Sequence, residues 1–253
     1  MTDILVNLTI DDGVAIISLN RPDALNAFNQ DLLKAMVAAI NKAEHDASAR
    51  CIILEGTGRA FSAGVDLKVL QNATFAAGKV DDLFDGASFA AVDAVRLAKL
   101  PVIAKIHGFC FTGALEMALQ ADFILTTTDT KFGDTHTKFG LRPSWGMSQN
   151  LARAVGVRRA RELSFTAATF TGIEAVQWGL ANEAFSSKDD LDTQTLRRAH
   201  AIASNSPGAI AAYKDLYRYA EENPPLEGAL REEQTREYAD IIDTKERLEG
   251  FGQ

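Results

Sequence analysis

IHGFCFTGALEMALQADF, residues 106–123, compresses a strand end, a glycine-bearing turn and a helix into one short stretch. The apolar β-like run Val102 to Ile106 leads into it. Ala114 to Ala121 reads as helix, and Phe123 to Thr127 resumes as strand. Strand, helix and strand in such close succession predict an α/β fold with crossover connections. Upstream, Ile4 to Ile10 and Val14 to Leu19 flank Asp11-Asp12-Gly13, whose Asp-Gly pair suits a hairpin. Leu32, Leu33, Met36, Val37 and Ile40 step at helical spacing behind Asn29, the expected N-cap, and Cys51 to Glu55 forms a further strand. Downstream, from about Asp189, the pattern becomes wholly helical. Ile210, Tyr213 and Leu216 share one face, Leu230, Tyr238, Ile241 and Ile242 another, and Asn223-Pro224-Pro225 parts the two helices. Gln71 to Gly86, rich in Ala, Gly and Asp, carries the weakest signal for regular structure.

Composition narrows the function classes. The 253 residues are 47% hydrophobic and 24% charged, enough apolar material for one sizeable core. With 34 acidic against 26 basic residues the formal charge is −8, and no basic, aromatic-laced stretch offers a nucleic-acid face. No apolar run approaches the roughly 20 residues of a membrane span, and the start lacks a charged n-region with an apolar h-region behind it. The expected setting is cytoplasmic. Cys51 and Cys110 stand in apolar surroundings without CxxC spacing and read as buried free thiols; no metal site is expected.

Gly56-Thr57-Gly58 follows a strand, but the third glycine position of a dinucleotide fingerprint holds Phe61. P-loop, zincin and nucleophile-elbow signatures are absent from the sequence. More telling is Glu116, the first charged residue after Phe109 and flanked by Leu115, Met117 and Leu119. A carboxylate with apolar neighbours suits acid or base work near neutral pH, while pairing with a cation across an interface is the structural alternative. Gly113 lies near the start of the same helix, where unpaired N–H groups favour negative charge. A second loop, AFSAGVDLK (60–68), exposes backbone through small residues and offers a further oxyanion donor, or serves only as a tight turn.

Taken together, NRPDALNAF (20–28), AFSAGVDLK, IHGFCFTGALEMALQADF, FGDTHTKFGLRPSWGMSQNLARAVG (132–156) and FTGIEAVQWGLANEAF (170–185) resemble the successive blocks of the crotonase, or enoyl-CoA hydratase/isomerase, family. The resemblance runs collinearly from about residue 4 to residue 250 and includes SNSPGAIAAYK (204–214). It implies a crotonase-like spiral of repeated ββα units with a C-terminal all-helical trimerisation region. Residues 1–195 would form the acyl-CoA-binding core, and 196–253 the helical oligomerisation region of a homotrimer or dimer of trimers.

The resemblance also implies an acyl-CoA thioester substrate, no cofactor beyond the coenzyme A it carries, and an oxyanion hole made by the N–H groups of Val65 and Gly113. CoA contacts map onto Ala24, Ala63, Gly64, Asp66 and Leu67, chiefly through the main chain, with a surface Lys or Arg meeting the phosphates. Glu116 matches the first of the two glutamates carried by the family's hydratases. His136 stands where they have the second. Imidazole titrates near neutral pH, so a Glu116/His136 pair still suits addition of water to a 2-enoyl-CoA. Alternatively His136 only hydrogen-bonds in the pocket wall. Rival readings of the chain are an isomerase, a hydrolase or decarboxylase, and a noncatalytic acyl-CoA binder. Asp134 either orients His136 or faces solvent, Trp145 either floors the acyl pocket or packs, and His107 is expected to be a structural hydrogen-bonder.

Overall fold

Two strands open the chain, β1 (Val6–Asp11) and β2 (Val14–Leu19), paired antiparallel. Asp12 and Gly13 join them at φ 45° and 78°, the left-handed pair that a two-residue hairpin turn requires. Helix α1 (Gln30–His45) starts where expected, with the Asn29 side chain accepting the Leu32 N–H at 2.8 Å, and it buries Leu32, Leu33, Met36 and Ile40. The computed structural model describes residues 4–71, 73–80, 85–222 and 224–249.

Strand β3 (Cys51–Gly56) lies parallel to β2, and the short helix α2 (Leu67–Leu70) follows it. The stretch from Gln71 to Gly86 holds a small ribbon, β4 (Phe75–Ala76) with β5 (Lys79–Val80), and the start of α3 (Asp85–Arg96); residues 72 and 81–84 lie outside the described residues. Next come β6 (Val102–Ile106), β7 (Phe109–Phe111), α4 (Gly113–Ala118), β8 (Phe123–Thr127) and β9 (Lys131–Gly133). Helices α5 (Met147–Val155) and α6 (Val157–Thr166) precede β10 (Thr169–Thr171), α7 (Gly172–Gln177) and β11 (Glu183–Phe185). Four helices close the chain: α8 (Lys188–Ala203), α9 (Pro207–Glu221), α10 (Leu226–Thr235) and α11 (Thr244–Glu249); Tyr238, Ile241 and Ile242, expected on one helical face with Leu230, lie instead in the non-helical connection between α10 and α11.

The strands sort into a six-stranded sheet, β1-β2-β3-β6-β8-β11, parallel from β2 onward, and a three-stranded sheet, β10-β9-β7. A strand of the large sheet, a strand of the small sheet and a helix form the unit β6–β7–α4, and β8–β9 begins the next turn of the spiral. Both faces of the large sheet are covered. Ile52, Leu54, Ala104 and Ile106 point into the main core with Phe28, Phe61, Leu115 and Phe132, whereas Cys51, Ile53, Ile103 and Leu125 meet Leu191 and Ala199 of α8. Double burial is why the parallel strands read as unbroken apolar runs.

Helix α8 is one continuous element across residue 195, and it covers Lys105, which is bonded to Asp192 at 2.6 Å and paired with Glu55. Helix α9 is tied on by Lys214, whose Nζ reaches Asp122 Oδ2 at 2.7 Å and the Leu100 carbonyl at 2.9 Å. Helix α4 ends at Ala118, earlier than the apolar spacing predicts. Asp122 turns the chain away there, donating its N–H to Val102 O at 2.9 Å while its carboxylate accepts the Val102 N–H. No helix among the described residues is long and apolar enough to cross a membrane.

Candidate active site

The small sheet builds the site. Parallel pairing of β7 with β9 sets Phe111 opposite Gly133, so the residues that follow each strand emerge side by side. Thr112 to Glu116 leave one strand and Asp134 to His136 the other, and the Thr112 N–H donates to the Gly133 carbonyl at 2.8 Å. The 60–68 loop runs along the other edge of β7, where Ser62 bridges to Cys110. Phe28 bridges in turn to Val65, bringing in the NRPDALNAF loop. Four segments distant in sequence thus meet at one cavity of about 650 Å³.

Local chemistry fixes each loop. Asn26 is fully buried; its amide donates to the carbonyls of Thr57 and Ala60, and its oxygen accepts the Arg21 N–H at 2.8 Å. Gly64 sits at φ 92°, and a Cβ there would lie 2.5 Å from the Phe111 carbonyl, so only glycine permits this approach to β7. Thr112 is a β-branched residue at φ 49°, a strained conformation immediately before Gly113. Neither the Val65 nor the Gly113 N–H has an acceptor among the described residues.

Glu116 is 2% exposed. Its Oε1 accepts two backbone N–H groups, from Trp145 at 2.9 Å and Met147 at 3.1 Å, at the N-terminal end of α5. Gln120 holds that segment in place by donating to the Trp145 carbonyl at 2.9 Å. The other oxygen, Oε2, faces His136 Nε2 at 3.5 Å, and His136 Nδ1 lies 2.7 Å from Asp134 Oδ1. Burial opposes charge on the ring. Hydrogen bonds to Asp134 and Glu116, with the charges of both carboxylates, outweigh it and push the His136 pKa up to about 9. Burial would likewise raise the Asp134 carboxyl, but hydrogen bonds from His136 and Ser164 hold it below its ordinary value. At neutral pH the site holds an imidazolium beside the Asp134 carboxylate.

Among the residues expected from sequence, Ala24, Ala63, Val65, Asp66, Leu67, Glu116 and His136 line the cavity together. Gly64 and Gly113 are buried one layer behind its wall, Gly113 beneath the Trp145 ring and the Val65 side chain. The Asp66 carboxylate is engaged within the protein, pairing with Arg21 at 3.0 Å and capping α2 at the Lys68 N–H. Trp145 lines the cavity as well as packing 6.1 Å from Phe28. His107 bonds the Gly58 carbonyl at 2.9 Å, and Cys51 and Cys110 are buried free thiols. Sequence reasoning missed Asn26, the Trp145 and Met147 amides, and Lys138 and Arg142 in the cavity wall. Gly146, a helix N-cap in left-handed conformation after Pro-Ser-Trp, was the available signal for the amides. No three His, Cys, Asp or Glu side chains among the described residues converge on a metal position.

Comparisons with known proteins agree with this architecture. The family model for enoyl-CoA hydratase/isomerase matches residues 9–253. A probable enoyl-CoA hydratase of Mycobacterium tuberculosis is 33% identical over 95% of this chain and 91% of its own length. A short-chain-enoyl-CoA hydratase of Clostridium acetobutylicum is 33% identical over 83% of this chain and 79% of its own. The crystal structure of an enoyl-CoA hydratase from Bacillus anthracis superposes with a TM-score of 0.87 at 29% identity, covering 97% of this chain and 94% of that one. The chain is a member of the crotonase, or enoyl-CoA hydratase/isomerase, family of enzymes.

Proposed function

We propose that the protein is an enoyl-CoA hydratase, adding water across the double bond of a 2-enoyl-CoA thioester. The observation that carries this reading is the pair Glu116 Oε2 and His136 Nε2, 3.5 Å apart in the cavity wall, with Glu116 Oε1 fixed by two backbone N–H groups. Glu116 takes a proton from water as the oxygen attacks C3. Negative charge then develops on the thioester oxygen, where the Val65 and Gly113 N–H groups receive it. His136, charged at neutral pH, gives its Nε2 proton to C2 and completes the addition. Transfer of the water-derived proton from Glu116 to Nε2 restores both groups, so no cofactor beyond the substrate's own coenzyme A enters the cycle.

Ala24, Ala63 and Leu67 line the cavity together with Lys68, and we assign them to the CoA moiety. The exposed apolar side chains of the tail, Tyr213, Tyr217, Leu226, Ile242 and Leu248, support a homo-oligomer assembled through residues 196–253. The free buried thiols fit a cytoplasmic setting. Crotonyl-CoA tests the function directly: hydration removes the ultraviolet absorbance of the conjugated thioester. No loss with any chain length overturns the hydratase reading. Conjugation appearing from a 3-enoyl-CoA, with no hydration, assigns the same site to an isomerase.

A further inference from the structure

His136 offers its two ring nitrogens to two different carboxylates, and only one of those is in the cavity wall. Asp134 is 2% exposed and does not line the cavity, so it has no route to a substrate. It nevertheless engages His136 twice, accepting from Nδ1 at 2.7 Å and from the backbone N–H at 3.2 Å through the same oxygen. The remaining partner is the uncharged Ser164 hydroxyl from α6. No Lys or Arg pairs with Asp134 among the described residues, so the charge of this buried carboxylate is answered by the imidazole alone.

We propose that Asp134 is a positioning residue for His136, fixing Nδ1 as a permanent donor so that every proton exchanged in the reaction passes through Nε2. The inference rests on the hydratase reading above. An ionised carboxylate only accepts, so Nδ1 keeps its proton whether the ring is charged or neutral. Nδ1 lies 2.7 Å from the Asp134 oxygen while Nε2 lies 3.5 Å from Glu116, so the nearer carboxylate decides and the neutral ring is the Nδ1–H tautomer, with the Nε2 lone pair directed at Glu116. After protonating C2, His136 is left with a bare Nε2 that takes up the proton Glu116 drew from water. A ring without this partner is free to place its single neutral-state proton on Nε2, which blocks that return. Among the described residues, the ionisable groups bonded to the ring are Glu116 from α4 and Asp134 from its own segment, and α6 contributes Ser164 by way of Asp134.

Imidazole-tuned 15N–1H spectra of the ligand-free protein test this without reference to turnover. The chain has 4 histidines, and His136→Gln identifies the resonance. The expected spectrum shows a protected Nδ1–H at all pH values and an Nε2 that titrates with a pKa of about 9. In Asp134→Asn the titration moves down toward the ordinary histidine range. The alkaline limb of the kcat profile follows it, and kcat falls on the order of 10²–10⁴-fold with KM little changed, the range for losing an orienting carboxylate behind a catalytic imidazole. A wild-type His136 whose neutral tautomer carries the proton on Nε2 overturns the proposal, as does a folded Asp134→Asn protein with the titration unmoved. Should that variant fail to fold, the wild-type tautomer decides. The spectra stand apart from the hydratase reading, which fails separately if crotonyl-CoA is not hydrated.

Discussion

Gly113 is the residue at which packing and chemistry meet most closely. A Cβ there would lie 2.9 Å from Trp145 Cζ3 and 3.2 Å from Val65 Cγ2, both side chains of the cavity wall. Gly113→Val is expected to drive these groups into the cavity and displace the N–H assigned to the oxyanion. The kcat/KM for hydration should fall by at least about 10²-fold with far-ultraviolet circular dichroism retained. Retained activity would remove Gly113 from the oxyanion hole. His136 sets a pH dependence of stability. Its folded pKa of about 9 lies above the ordinary value of 6.5, so its ion-pair contribution is complete below 6.5 and is lost as pH rises through 9. The Tm deficit of His136→Gln relative to wild type should therefore be largest in mild acid and shrink toward about pH 10. A deficit independent of pH contradicts the charged pairing.

At the scale of elements, α1 depends on a single side chain to start it. Asn29→Ala removes the acceptor for the Leu32 N–H while leaving the buried face of the helix untouched. The expected loss is about 1 kcal/mol, read as a lower midpoint in urea with an unchanged slope. A loss below the error of the measurement would mean that solvent replaces the cap at no cost. Elements of this length declare themselves in sequence, since the 16 residues of α1 repeat their apolar spacing several times. Strands β7, β9 and β10 have 3 residues each and show no period. The parallel pairing of β7 with β9 is what carries His136 to Glu116 across twenty positions of sequence. The residue types of the site were therefore legible, as were the loops bearing them. Their mutual geometry was not, because it depends on strand pairing between segments too short to signal it. The double hold on Glu116 Oε1 was hidden for another reason: backbone N–H groups leave no mark in the amino-acid alphabet.

For the whole molecule, a formal charge of −8 sits alongside Lys68, Lys138 and Arg142 in one cavity wall, so the net excess of acidic residues does not describe the cavity wall. The tail presents Leu226 at 72% exposure and Ile242 at 86%, apolar area that an isolated protomer leaves in water. Light scattering after size-exclusion chromatography is expected to report a trimer or a dimer of trimers, and a stable monomer would contradict assembly through the tail. The central claim, that Glu116 is the base of a hydration reaction, has a more direct test. Glu116→Gln keeps the side-chain length and a carbonyl acceptor for the Trp145 and Met147 amides, but it has no carboxylate to take a proton from water. Its turnover of crotonyl-CoA, measured at saturation beside its affinity for a saturated acyl-CoA, is predicted to fall by about 10²–10⁴-fold with affinity unchanged. Turnover equal to that of the wild type would contradict the account.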